Sequence, residues 1–341
     1  MEENLKIKGK KIKIHKANNF PQYSEKSVLT DSTWNYVDMW LKRNSYKEAL
    51  FFWEQAKYFY NASKLLPILS SPLTSYYCFL NATKALLLVK NIHFNDSHGV
   101  TGYSKKGQIA LINEKIKFKS SGILPALSKC LNINIINEEE YNMKDLMYNL
   151  SFIHRAFIHT FRTAKDLFIP VKNISFIKKQ NSKEAWIEFE VDVIVDSNLK
   201  KKMRDIFEYN HQKQNFRLKN RFNWILSDNK KSLENLGKYH NKYRKEFYYI
   251  SADKDLWYIK RKPTTTMSII DKPSLVIMFA VMHRLSELSR YEPEKLFKHL
   301  NQQQNWLLSE FIEKSLHQFI NEISTEITGN EFRTTGFRNL K

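Results

Sequence analysis

The stretch Ser71-Pro-Leu-Thr-Ser-Tyr-Tyr-Cys-Phe-Leu-Asn-Ala-Thr-Lys-Ala-Leu-Leu-Leu88 constrains the fold of this chain more than any other. Serine followed by proline is a helix start, because proline at the first helical position gives up an N–H that has no helical partner anyway. From Leu73 to Lys90 apolar residues then cover every face of the helix. A helix of this kind must be enclosed by other elements, so the chain needs a core built around it.

Partners for it are visible on both sides. Trp34, Val37 and Leu41 lie on one face of a helix capped by Asp31 or Ser32 and reaching Arg43. Leu50, Trp53, Ala56, Phe59 and Tyr60 form the apolar face of a second helix over 45–66. The pattern also predicts a helix over 121–131, a long helix from Met143 to Phe168 ending before Pro170, and helices over 274–290 and 300–327. Between these, Ile174–Lys179, Ala185–Val195, Glu246–Ile250 and Leu256–Lys260 alternate with β-branched and aromatic residues, as half-buried strands do. The expected fold class is therefore mainly α within α+β: a helical bundle core with a small antiparallel β-containing insertion. The expected division is a basic leader over 1–30, a helical core over 31–171 and 263–341, and a basic insertion over 172–262.

Composition narrows the setting. Two cysteines, Cys78 and Cys130, are too few for a disulfide framework in a chain of 341 residues and predict a reducing cytoplasm. The longest apolar run, Leu275–Met282, is far short of the roughly 20 residues that cross a bilayer, so no membrane partner is expected. The net charge is +20, and half of it lies between Lys200 and Lys245, where fourteen Lys/Arg face four acids. Phe207, Phe216, Phe222, Trp224, Tyr239 and Tyr243 are interleaved with these bases. Basic side chains contact phosphates and aromatics stack on bases, so the segment predicts binding of RNA or single strands. Arg217, Lys219, Arg221, Trp224 and Arg244 are its candidate nucleic-acid-binding residues. The same charge also suits an acidic protein partner.

The Ser71–Leu88 helix, His98-Gly99, Gly122-Ile-Leu-Pro-Ala-Leu127, His154-Arg155 and the Met278–Tyr291 helix with Pro293 after it come in an order that resembles the YaaC-like family of bacterial proteins. The resemblance spans about Trp40 to Phe332, and residues 172–262 depart from it most. It implies a bacterial cytoplasmic protein and carries no activity with it.

Three groups of residues could carry chemistry. Asn81 and Lys84 lie three apart on the apolar helix, and a buried ammonium needs a partner, so they form a candidate internal polar site. His98, in the loop after that helix, joins them, and His283-Arg284 and Arg290 on the late helix could converge with it. Arg155, His159 and Arg162 fall on one stripe of the expected long helix, a pattern suited to holding phosphate beside an acid–base imidazole. This resembles the Arg/His pair of HEPN ribonucleases, with three residues between the two where those enzymes have four to six, and makes a metal-independent ribonuclease acting as a toxin or phage-defence effector the alternative function. Glu188, Glu190 and Asp192 alternate along a strand as solvated carboxylates do. No CxxC, HExxH, GxxxxGK, GxGxxG or GxSxG motif occurs, so no metal and no cofactor is expected.

Overall fold

The computed structural model describes residues 2–252, 256–262 and 268–333. Met1 lies outside them, as do residues 263–267 and 334–341 at the two ends of the expected 263–341 stretch. In chain order the first elements are β1 (Glu2–Asn4), β2 (Lys6–Ile7), β3 (Lys10–Lys11), β4 (Val28–Leu29), α1 (Thr33–Arg43), α2 (Lys47–Leu65) and α3 (Ser71–Val89). Then come β5 (Val100–Ser104), β6 (Glu114–Phe118), α4 (Ile123–Cys130), β7 (Glu139–Asn142), α5 (Met143–Tyr148) and α6 (His154–Thr160). The middle of the chain holds β8 (Phe168–Lys179), β9 (Glu184–Val191), α7 (Ser197–Lys202), β10 (Phe207–Asn210), β11 (Asn215–Leu218), β12 (Phe222–Asn223) and α8 (Asn229–Tyr243). The last elements are β13 (Phe247–Ile250), β14 (Leu256–Lys260), α9 (Ser274–Tyr291), α10 (Pro293–Leu300), α11 (Asn305–Thr328) and β15 (Phe332–Arg333). They group into two compact units, one of residues 1–28, 166–264 and 329–331, the other of 29–165, 265–328 and 332–341.

The second unit is built around α3, which packs on α2, α4, α9 and α11. Phe79 and Leu87 are fully buried and Leu80 nearly so, as an all-round apolar helix requires. The Phe79 ring lies flat on Phe319 of α11, with centroids 3.9 Å apart. Trp53 of α2 donates its indole N–H to the Trp34 carbonyl at 3.1 Å, tying α1 to α2. β5, β6 and β7 form an antiparallel sheet in which Val100 faces Phe118 and Phe118 faces Glu139.

The long helix expected over 143–168 is broken. Asn149 takes the Ile270 N–H on its side-chain oxygen and gives its amide protons to the Asp145 and Ser268 carbonyls, ending α5. A 3₁₀ turn over Ser151–Ile153 follows, then the seven residues of α6. A side chain that satisfies three backbone groups, two of them distant in sequence, outweighs the local preference to continue.

The first unit overturns the expected fold class. It is not a small insertion in a helical bundle but an eight-stranded antiparallel sheet, in the order β10-β11-β9-β8-β14-β13, with β1 added to β8 and β12 to β9. Phe176, Ile187, Phe189, Phe216 and Phe247 on its strands form a core of their own with Leu236, Tyr239 and Tyr243 of α8. The fold is α+β, with a sheet too large to be an appendage. Its extent was hidden because β10 and β11 have only four residues each and carry charges at paired positions, such as Glu208 opposite Arg217.

The leader belongs to this unit. His240 of α8 lies 2.7 Å from the Ala17 carbonyl, 2.7 Å from the Tyr23 hydroxyl and 2.8 Å from that of Tyr243. Burial, reinforced by the Arg244 charge, lowers His15 and His240 from 6.5 to about 3, so both are neutral in the fold.

Two outcomes follow. Phe79→Ala should lose about 3–5 kcal/mol of stability in urea unfolding through the cavity it leaves against Phe319, and a loss near zero would place α3 outside the core. The unfolded chain protonates His15 and His240 near 6.5 whereas the folded chain does so only near 3. Stability of this unit should therefore fall as the pH drops below 6.5, by up to about 1.4 kcal/mol per pH unit for each histidine. A urea midpoint that stays level from pH 6.5 to 5 would show that these imidazoles are already charged.

Candidate functional site

The fourteen bases of the 200–245 segment divide by what they touch. Its arginines are engaged within the fold. Arg217 pairs with Glu208 at 2.7 Å, Arg221 with the same carboxylate and with Glu184 at 3.3 Å, and both guanidiniums lie near the Trp186 ring. Arg204 pairs with Glu246 at 2.9 Å. Arg244 is 6% exposed and donates twice to the Lys16 carbonyl, at 2.9 and 2.8 Å, and again to the Phe247 carbonyl, pinning the leader. Lys213 pairs with the buried Glu188 at 3.0 Å. Glu188 also accepts from Trp186 and Asn215, so it is a structural acceptor.

The aromatics are not available to bases either. Trp224 is 4% exposed, and Phe207, Phe216, Phe222, Tyr239 and Tyr243 are as deeply set in the sheet core. Phe222 stacks on Tyr239 at 4.5 Å.

The lysines of α7, where Lys200 sits 3.9 Å over the Tyr209 ring, and those of α8 remain. Asp228 caps this helix by accepting the Lys231 N–H at 2.9 Å. Ser232, Leu236, Tyr239, His240 and Tyr243 turn inward. Lys230, Lys231, Lys238 and Lys242, followed by Lys245, are exposed, and among the described residues none is ion-paired. Lys231, Lys238, Lys242 and Lys245 fall at i, i+7, i+11 and i+14, a row of about 20 Å at 1.5 Å per residue. Glu234 is the one acid of the helix. Lys219 is also exposed, with Asp205 within its electrostatic reach.

Arg155, His159 and Arg162 are all exposed. Arg155 and His159 share one side of α6, with the His159 ring 5.7 Å from Trp306, while Arg162 lies in the turn past the helix end.

The internal polar site gathers residues from distant parts of the chain. Lys84 is 15% exposed, and its amine meets the Asp96 carboxylate at 2.8 Å and the Phe52 ring at 5.1 Å. Asn81 donates back to the Tyr77 carbonyl at 2.8 Å and takes no direct part. His98 Nδ1 lies 2.7 Å from the buried Tyr76 hydroxyl, and the His283 ring is 4.8 Å from Tyr76 and 5.3 Å from His98. The His98–His283 convergence is therefore real. Burial holds the Tyr76 phenol protonated, so it can donate to His98 Nδ1. Burial first, then the His98 and Arg284 charges, lowers His283 to about 3. Among the described residues its Nδ1 has no hydrogen-bond partner, with Glu287 at 3.7 Å.

A backbone lock sets the His98 loop. Gly99 has φ +71° and Gly122 has φ +115°, and a Cβ on Gly122 would fall 2.6 Å from the Gly99 backbone. This close approach lets the Ser97 and His98 carbonyls receive the first α4 N–H groups, from Ile123 and Leu124, at 2.9 and 3.1 Å. Tyr76 is the member that sequence reading missed. On an apolar helix its hydroxyl gives no signal until a distant imidazole stands opposite.

Among the described residues no group of His, Cys, Asp and Glu is placed to hold a metal ion, and no helix is long and apolar enough to cross a membrane. Burial first, then the Lys84 charge, depresses the His98 pKa. Lys84→Met should raise it toward 6.5, read from the imidazole C–H shifts in an NMR titration, whereas an unchanged value would mean that Lys84 does not face the histidine.

The family model described as YaaC-like Protein matches residues 13–327. No curated protein and no solved structure shows a significant match.

Proposed function

The chain belongs to the YaaC-like family, and we propose that it binds nucleic acid, RNA or a single strand, through the exposed lysine row of α8. The observation that carries this reading is the sorting of charge. The arginines are consumed by carboxylates, carbonyls and the Trp186 ring, while Lys230, Lys231, Lys238, Lys242 and Lys245 stand in solvent with no ion pair among the described residues. Flexible, hydrated ammonium groups in a row suit a phosphate backbone and read its charge rather than its sequence. Because the interleaved aromatics are core residues, binding is electrostatic and base stacking takes no part in it. The two cysteines are free and buried, in keeping with a cytoplasmic setting.

Fluorescence anisotropy with labelled oligo-U RNA and oligo-dT at two salt concentrations tests this, with polyglutamate as an acidic-polypeptide control. Each single-strand phosphate contact adds about 0.7 to the slope of log affinity on log salt. Lys238→Glu, Lys242→Glu and Lys245→Glu together should therefore cut affinity by about tenfold or more and flatten the slope, with the circular dichroism spectrum unchanged. Equal affinity for polyglutamate would point to an acidic protein partner instead. RNA cleavage that disappears in His159→Ala would assign the chain to the ribonuclease reading through Arg155, His159 and Arg162.

A further inference from the structure

A cleft in the second unit holds about 460 Å³ and is lined by Gln108, Lys144, Phe161 and three successive glutamines, Gln302, Gln303 and Gln304, with residues 109–112 as its apolar wall. Pockets that enclose small molecules are of this size. Four amide side chains and a lysine, with no carboxylate among the lining residues, form an unusual surface whose hydrogen-bonding sense can be worked out.

Glu114 sets the hydrogen-bonding sense of this surface. Burial raises its pKa, but the His299 hydrogen bond and the Arg284 charge outweigh this and hold it below the ordinary carboxylate range, so it is an acceptor only. His299 Nε2, 3.1 Å away, must therefore carry the proton and donate to it. The Gln304 amide nitrogen lies 3.0 Å from His299 Nδ1 and donates to it, so the amide oxygen of the buried Gln304 points away from the imidazole. Its second amide proton goes to the Gln302 oxygen at 3.0 Å. Both protons of Gln304 and the oxygen of Gln302 are thus in use, whereas the Gln304 oxygen and the Gln302 amide nitrogen have no partner among the described residues. The cleft therefore presents an acceptor and a donor on hydrogen-bonded neighbours, orientation set by a buried chain of Gln304, His299, Glu114 and Arg284.

The other polar group is Lys144. Its amine sits 4.3 Å from the centroid of the Phe161 ring and has no carboxylate partner among the described residues. A positive charge held by a ring face keeps its capacity for an anion.

We infer that this cleft binds a nucleotide. The edge of a nucleobase offers adjacent donor and acceptor atoms that complement the Gln304 oxygen and the Gln302 amide. The apolar wall of residues 109–112 suits the flat face of the ring, and Lys144 suits the phosphate. The site lies in the unit that does not contain α8, and it stands independently of the nucleic-acid reading.

Isothermal titration calorimetry of the full chain with AMP, GMP, CMP and UMP, and with the four nucleosides, provides the test. At least one nucleotide should bind with a Kd below about 100 μM. Lys144→Met should weaken the nucleotide about tenfold and leave its nucleoside unchanged, because only the charge is lost. Gln302→Ala, at an exposed position, should weaken both by about tenfold. The α8 triple glutamate variant should bind the nucleotide as the wild type does. The inference is overturned if none of these ligands binds below about 1 mM. It is equally overturned if binding survives in the Gln302→Ala/Lys144→Met double variant or disappears in the α8 variant.

Discussion

The guanidinium of Arg284 is 3% exposed and meets the equally buried Glu114 carboxylate at 2.7 Å, with Glu287 at 3.1 Å, Glu292 at 3.2 Å and the Ser104 hydroxyl at 2.8 Å around it. Much of the second unit depends on this ion cluster, because it joins α9 to β5, β6 and the start of α10. Two charges taken out of water gain little net stability over an apolar pair, but removing one partner strands the other at a cost of about 3–5 kcal/mol. The cluster thus acts as a register pin. Glu287 also accepts the Gly102 N–H at 3.2 Å, so β5 has one position relative to α9. A side chain at Gly102 would meet Arg284 at 2.3 Å and Glu287 at 2.7 Å.

From the same pin, polar contacts run both ways: through Glu114 and His299 to the glutamine cleft, and through Glu287 toward His283, Tyr76 and His98. The second path is interrupted at the 3.7 Å gap between Glu287 and His283. Burial lowers His283 to about 3, so the imidazole is neutral and the gap is not an ion pair.

What the sequence made legible was whatever depends on local period. α3, α9, the second half of β8 and the strands β9, β13 and β14 follow from apolar spacing, and the apolar surround of α3 required its burial. What stayed hidden was decided by single distant partners. Asn149 ends a helix that spacing alone would continue, because the carbonyl of Ser268 and the N–H of Ile270 come to it from another part of the chain. The interleaving of aromatics with bases over 200–245 suggests a stacking surface, but alternation in the short strands and the inward apolar face of α8 turn the rings inward and leave the α8 lysines outward. The convergence of His98 with His283 was a suspicion from sequence and a contact in space. The glutamine cleft gave no signal, since amides carry no charge and Gln302–Gln304 resemble an ordinary loop.

The two units are interleaved along the chain, and this bears on how the protein is made. The leader is synthesised first, yet Lys16 waits for Glu331, whose carboxylate accepts its N–H at 3.0 Å, and Gln22 waits for the Gly329 carbonyl. At translation rates of about 5–20 residues per second the wait is on the order of tens of seconds. The buried core of the sheet lies within residues 5–259, so what is missing until the end of that time is the tie between the leader and residues 329–331. Each unit is assembled from separate stretches of chain, so neither can be produced as one uninterrupted fragment.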